Sequence, residues 1–420
     1  MPSYQTLSTQ LKETGICQPT LVLDKTQLDK NIRILMKTLQ KGFDYRIVVK
    51  SLPCLPLIDE ICRQTGSQRF MCFHGPFIKQ IASAYPEGDI LLGKPLPAAA
   101  FEALVIWFQD QKNSNISRVQ WLIDSPLRLE QYRAIAEKHK VSLRINLEID
   151  VGLHRGGFTL DEHFDEAIAE IEASQALSFS GLMGYEAHAS KMPGLLGGLN
   201  GALKDSWHLY EHFKSKVAHL SNEDTCFNSG GSTTFTEYGP EAPCNELSVG
   251  SALLKPSDFD LPHLSEIEPA AFIATPLLKR VDYIDLPGPK LGPAFVQKAL
   301  QRALQRAGQL PGAAGYIYGG NWLATPCYPE SARQISLFGR SSNQELYGFD
   351  DDCDFIPDDL MLFRPKQSEA VLLQFGDIAV FEKGKISAWW PVLSLSQQSQ
   401  SAPSQSVKGQ TARHKQGKVK

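Results

Sequence analysis

The chain has 420 residues, 42% of them hydrophobic and 21% charged, with a formal net charge of -4. That length holds two or three domains, and the composition is that of an ordinary globular protein. The small negative charge gives no electrostatic ground for expecting nucleic acid or an anionic membrane surface as a partner.

Residues 19–24, Pro-Thr-Leu-Val-Leu-Asp, read as a short strand. Asp24 is placed to cap a helix in which Leu28, Ile32, Leu35, Met36 and Leu39 recur at helical spacing. Ile47, Val48 and Val49 form a β-branched run that predicts a buried strand, with Lys50 at its end and Leu52-Pro53 closing it. Helical patterns follow at 58–62, 77–84, 98–110, 127–138, 164–173 and 207–220. Strand-like runs alternate with them at 69–73, 89–92, 119–123, 143–149, 179–185 and 225–229. Such alternation predicts a parallel α/β domain, open or closed. About eight units over about 250 residues is the size of a (β/α)8 TIM-type barrel. In such a barrel chemistry sits at strand C-termini, so Lys50, Asp124, Asp150, His188 and the 229–234 turn could share one mouth.

From about residue 272 the texture changes to short strand-like runs at 271–285, 314–318, 360–363, 370–373, 377–381 and 386–393, interrupted by one helical pattern at 293–307. The expected division is a barrel over 19–265, a mostly β domain over 266–395 joined by residues 1–18, and a disordered tail over 396–420. The eight cysteines (17, 54, 62, 72, 226, 244, 327 and 353) are scattered, without a C-x-x-C pair. They suit reduced thiols better than disulfides or a zinc site. With no signal-peptide core and no membrane-length apolar run, a cytoplasmic location is the default expectation.

Four stretches carry candidate chemistry. A strand-end lysine such as Lys50 either packs its stem and reaches water or serves as a partly desolvated amine able to form a Schiff base. Asn228-Ser-Gly-Gly-Ser-Thr-Thr234 can turn backbone N–H groups and hydroxyls toward a phosphate, although an ordinary Ser/Gly loop has the same composition. Asp150-Val-Gly-Leu-His-Arg-Gly-Gly157 places Arg155 among glycines, free to reach inward or to stay on the surface. Gly184-Tyr-Glu-Ala-His188 ends a strand with three titratable groups together.

Taken together these segments resemble the fold-type III pyridoxal-phosphate enzymes, and in particular the D-threonine aldolase and D-serine dehydratase family, relatives of alanine racemase. The resemblance rests on five blocks in order: Arg46-Ile-Val-Val-Lys50, Asp150 to Gly157, Gly184 to His188, Gly230-Gly-Ser-Thr-Thr234 and Glu246-Leu-Ser-Val-Gly-Ser251. They cover about residues 19–260, with a weaker match at Trp390-Pro-Val392. The resemblance implies that Lys50 forms a Schiff base with the cofactor aldehyde and later acts as a base. It puts Arg46 near that lysine and the phosphate, Arg155 beside the cofactor ring, and Tyr185 and His188 on the reacting face. Ser229, Gly230, Gly231, Ser232, Gly250 and Ser251 would hold the phosphate.

The chain also departs from the pattern. Two histidines expected around Lys50 are absent, and Ala252 stands where a tyrosine is expected. The family's metal-binding His and Cys or Asp align with Gln367 and Glu369. Such a pair disfavours zinc; it could bind Mg²⁺ or Mn²⁺, or could contact the substrate with no metal. The resemblance implies cleavage or dehydration of a β-hydroxy D-amino acid, with an amino-acid racemase as the alternative enzyme. A pyridoxal-phosphate carrier without turnover is the alternative of another class. The resemblance also implies a homodimer.

Overall fold

The computed structural model describes residues 3–111, 115–281, 284, 299, 303, 311–335, 339–350 and 352–396. Eight parallel strands close into a barrel: β2 (Asp44–Val48), β3 (Arg69–Cys72), β4 (Asp89–Leu92), β5 (Val119–Ile123), β6 (Leu143–Ile149), β7 (Leu177–Gly184), β8 (Cys226–Ser229) and β9 (Glu246–Val249). Helices α2 (Lys25–Leu39), α3 (Leu55–Thr65), α4 (Gly75–Ala84), α5 (Ala98–Asp110), α6 (Pro126–His139), α7 (Glu162–Ala173) and α8 (Gly198–Lys216) accompany the barrel strands in sequence. Local chemistry sets several of their ends. Asp24 Oδ1 accepts the N–H groups of Thr26 and Gln27 at the start of α2. Prolines occupy the first turns of α3, α4 and α6.

The strand β1 (Thr20–Asp24), grouped above with the barrel segment, is not a barrel stave. It pairs antiparallel with β10 (Ala271–Val281) and parallel with β16 (Ile378–Glu382) in a second sheet. The ring is closed instead by β9, which pairs with β2 from Asp44↔Glu246 to Ile47↔Val249. Both segments are short and buried, so their own residues suit either sheet; long-range pairing decides. The second sheet also holds β11 (Ala313–Tyr318), β12 (Ala324–Tyr328), β13 (Arg333–Gln334), β14 (Gln344–Phe349), β15 (Leu360–Pro365) and β17 (Lys385–Trp390).

Strands β12, β13 and β14 go beyond the runs expected from sequence. Residues 370–373, expected as a strand, form a turn instead: the N–H groups of Val371 and Leu372 both donate to Ser368 O, at 3.1 and 3.0 Å. Helix α1 (Tyr4–Glu13) packs Leu7 and Leu11 against Phe272, Leu360 and Leu362 of the second sheet. The helix expected at 293–307, apart from residues 299 and 303, and the tail beyond 396 lie outside the described residues. Among the described residues no helix is long and apolar enough to cross a membrane.

The barrel and the second sheet meet at the C-terminal mouth of the barrel. Asn31 Nδ2 donates to the carbonyls of Leu253 and Glu268, tying α2 to the segment between β9 and β10. Leu393 N–H donates to Pro53 O, just past Lys50, at 2.7 Å. The turn after β15 is held over the barrel by the Asp258 N–H, which donates to Lys366 O at 3.4 Å.

Candidate active site

Strand β2 ends at Val48, and Val49–Ser51 form a tight 3-10 turn that raises Lys50 into the mouth. Lys50 Nζ lies 4.6 Å from the centroid of the Phe73 ring and 3.3 Å from Glu369 Oε1. Ser51 Oγ donates to the same carboxylate oxygen at 2.9 Å. Glu369 belongs to the turn after β15, so the second sheet delivers a carboxylate to an amine of the barrel.

One cleft at this mouth brings together Lys50, Arg155, Tyr185, Gly230, Gly231, Ser232, Ser251 and Glu369. Its apolar walls come from residues that motif reading passed over, chiefly Val48, Met71, Phe73, Met183 and Phe259. A Cβ on Gly93 would lie 2.1 Å from Phe73 Cζ, so that glycine lets the ring lie flat beneath Lys50. The signal was present in the sequence, since Phe73 ends one strand-like run and Gly93 directly follows another.

Arg155 stacks over Tyr185, its guanidinium carbon 5.3 Å from the ring centroid. Burial, reinforced by Glu186, pushes the Tyr185 phenol up to about 12. Tyr185 therefore stays un-ionised at neutral pH, with its proton available to donate. Gly231 is pressed against this ring: a Cβ there would lie 2.6 Å from Tyr185 Cε2. Gly230 adopts a φ of +74°, which favours glycine. Gly250 N–H donates to Ser232 Oγ at 3.1 Å, which joins the glycine turn to the Ser251 turn.

Several expected site residues lie elsewhere. Arg46 does not reach the cleft. It faces the barrel interior toward the N-terminal end, where Asp89 and Glu246 begin β4 and β9. It is fully buried and ion-paired with Glu246 and Asp89. Arg69 adds a contact to Glu246 at 3.2 Å and Arg144 one to Asp89 at 2.6 Å. Asn228 Nδ2 links this layer to the cleft floor by donating to Glu246 Oε1 and Ser248 Oγ, both at 2.8 Å. Arg46 thus supports the site from below.

Ser229 is turned away from the cleft, donating to Glu186 Oε2 at 3.2 Å and lying 3.0 Å from the Tyr238 hydroxyl. Thr234 Oγ1 donates to the other Glu186 oxygen at 2.6 Å and accepts the Gly231 N–H at 3.1 Å. Glu186 is therefore the strut behind the glycine turn. Gly250 contributes through its backbone and is not part of the cleft lining. His188 sits three residues beyond Tyr185, at the start of a 3-10 turn, and packs its ring against Gly152 rather than lining the cleft. Gln367 is exposed and donates to Asp258 Oδ2 at 3.2 Å, while Glu369 is engaged by Lys50 and Ser51. Among the described residues no group of three or more His, Cys, Asp or Glu could hold a metal ion. A divalent cation that needs about six oxygen ligands does not fit this donor set.

The cleft does fit a phosphorylated aldehyde. It offers an amine, a cation over an aromatic ring, and a glycine turn bare enough for close backbone approach. In the same turn Thr233 Oγ1 is buried without a partner among the described residues.

A closed parallel barrel, a mostly β second sheet and an amine at the barrel mouth define the fold-type III pyridoxal-phosphate enzymes. Residues 23–258, more than half of the chain, match the family model for the alanine racemase N-terminal domain, and the chain belongs to that family. The family implies pyridoxal phosphate as cofactor.

Among solved structures, D-threonine aldolase from Filomicrobium marinum superposes with a TM-score of 0.69 at 14% identity, covering 89% of this chain and 94% of the other. Alanine racemase of Clostridium difficile 630 gives 0.64 at 13% identity, covering 89% and 98%. D-threo-3-hydroxyaspartate dehydratase from Delftia sp. HT23 gives 0.65 at 13% identity, covering 89% and 97%. At such identities the likeness is one of fold. A sequence comparison with curated proteins finds no match.

Proposed function

We propose that the protein is a pyridoxal-phosphate-dependent lyase that cleaves or dehydrates a β-hydroxy D-amino acid of the threonine or serine type. The observation that carries this reading is the meeting of Lys50 with Glu369 in the cleft that also holds Arg155, Tyr185 and the glycine turn. Lys50 Nζ is the amine that takes the cofactor aldehyde. Gly230, Gly231, Ser232 and Ser251 receive the phosphate, and Arg155 lies beside the ring. When bound, the cofactor supplies a sink for the electron pair of a bond broken at the substrate's α carbon.

Lys50 then holds or returns the proton at that carbon. Tyr185 keeps its proton and orients the substrate as a donor. The Phe73 ring and the neighbouring apolar wall exclude water from the reacting face. A carrier without turnover has no use for a carboxylate brought by a second sheet to the reactive amine, so Glu369 favours an enzyme.

Two measurements test the reading. Borohydride reduction of the holoprotein followed by peptide mapping should leave a pyridoxyl adduct on Lys50. An adduct on another lysine, or no bound cofactor absorbance, refutes the assignment. A panel of D- and L-amino acids should give aldehyde or ammonia from D-threonine or D-serine. Inversion of alanine without either product supports a racemase instead. A homodimer and a cytoplasmic location belong to the same proposal; sedimentation of the holoprotein checks the first.

A further inference from the structure

The Glu369 carboxylate is used unevenly. Its Oε1 accepts from Ser51 Oγ at 2.9 Å and lies 3.3 Å from Lys50 Nζ. Its Oε2 has no partner among the described residues. The residue lines the cleft and is about one-third exposed, so the free oxygen is available to a ligand. The two cations that line the cleft are Lys50 and Arg155. Lys50 is already paired with Glu369 Oε1, and Arg155 is stacked on Tyr185. Because the amino acid reacts where Lys50 Nζ now stands, a carboxylate 3.3 Å from that amine is next to the substrate's α and β carbons.

We propose that Glu369 determines which substrates are accepted. It selects amino acids whose β carbon bears a neutral hydrogen-bond donor, a hydroxyl, and rejects those bearing a β-carboxylate. It also takes the hydroxyl proton directly, with no cation between them. The proton-transfer half rests on the lyase reading above; the selectivity half rests only on the amino acid reacting at Lys50. A substrate carboxylate placed against Glu369 meets like charge in a partly desolvated cleft with no spare cation. A hydroxyl there donates to Oε2.

In aldol cleavage, the hydroxyl proton moves to Glu369 Oε2 as the β carbon becomes a carbonyl. The Cα–Cβ bond breaks and its electron pair stays with Cα. Lys50 then gives a proton to Cα and regains one from solvent, as Glu369 releases its own proton to solvent. Threonine so divides into glycine and acetaldehyde, with no oxidant, reductant or metal consumed.

The test uses cofactor-saturated protein, wild type and the variants Glu369→Gln and Glu369→Asp. Binding of D-serine, D-aspartate and D-alanine is followed through the cofactor absorbance. Wild type should bind D-serine at least about tenfold more tightly than D-aspartate, as expected for one like-charge contact. Glu369→Gln, equal in size and able to accept from Ser51, should bring the two within about threefold while leaving D-alanine nearly unchanged. Glu369→Asp, which keeps the charge, should retain the discrimination.

Turnover of D-threonine should survive chelation in wild type and fall at least about 100-fold in Glu369→Gln, the loss typical of a missing proton acceptor. A wild-type preference for D-aspartate, or a ratio unchanged in Glu369→Gln, overturns the selectivity. Turnover that stops with chelator and returns with Mg²⁺ or Mn²⁺ overturns the direct proton transfer. If neither D-threonine nor D-serine yields product, the lyase reading and the proton-transfer half fall together, and the binding ratio still decides the selectivity half.

Discussion

Replacing Arg46 by alanine tests whether this arginine holds the barrel together or holds the cofactor. Its guanidinium is fully buried and paired with Glu246, also fully buried, and with Asp89. Removing one partner of a buried pair costs about 3–5 kcal/mol, because the remaining charge loses its compensation. Here Arg69 and Arg144 still face the two carboxylates, so the lower end, about 3 kcal/mol, is expected.

The pH dependence carries a second signature. Burial raises the Asp89 carboxyl, but Arg46 and then Arg144 outweigh it and hold the group at about 2. Glu246 is likewise held down, against its burial, by Arg46. A carboxyl depressed in the folded state stabilises the fold above its unfolded pKa of about 4, and that contribution is lost as pH falls through about 4 toward 2. The gap between wild type and Arg46→Ala in chemical denaturation should therefore be widest near neutrality and narrow below about pH 4. Cofactor affinity of the folded variant at pH 7 should stay near the wild-type value. A variant of unchanged stability that has lost cofactor affinity would place Arg46 at the phosphate and refute the reasoning.

Gly231→Val should abolish tight cofactor binding with little change in far-ultraviolet circular dichroism. Even the first added carbon would sit 2.6 Å from the Tyr185 ring, displacing the ring or the turn; wild-type affinity in this variant would move the phosphate site elsewhere. Ser229→Ala should lower stability by about 1–2 kcal/mol, since it leaves a buried Glu186 oxygen short of a donor, while cofactor affinity is retained. Denaturation and cofactor titration of the same sample check both halves, and a selective loss of affinity would make Ser229 a phosphate contact.

How much of the site could be read in advance depended on how local each feature was. A β-branched run ending in lysine, a pair of glycines after a strand and an arginine among glycines are all signals within a few residues. Lys50, Arg155, Tyr185, Gly230, Gly231 and Ser232 indeed line one cleft. Arg46 was misplaced because a motif records its spacing from Lys50 but not its depth in the barrel. The end of β2 and a tight turn separate it from Lys50, and its side chain runs inward to Glu246 and Asp89 at the other end. Ser229 is adjacent in sequence to the glycine turn, yet strand alternation points its hydroxyl to Glu186. Gln367 and Glu369 lie two residues apart, but the turn after β15 sends one to Asp258 at the surface and the other to Lys50.

The sequence by itself determined the alternation of strand and helix, hence a parallel α/β domain of a barrel's size, together with the amine and the glycine turn at strand ends, because hydrophobic period and backbone freedom are properties of neighbouring residues. The tertiary structure alone decided that residues 20–24 leave the barrel and 246–249 close it, and that a carboxylate from the second sheet meets Lys50. Those outcomes depend on pairings between segments hundreds of residues apart, where two short apolar strands are interchangeable until the whole ring is assembled.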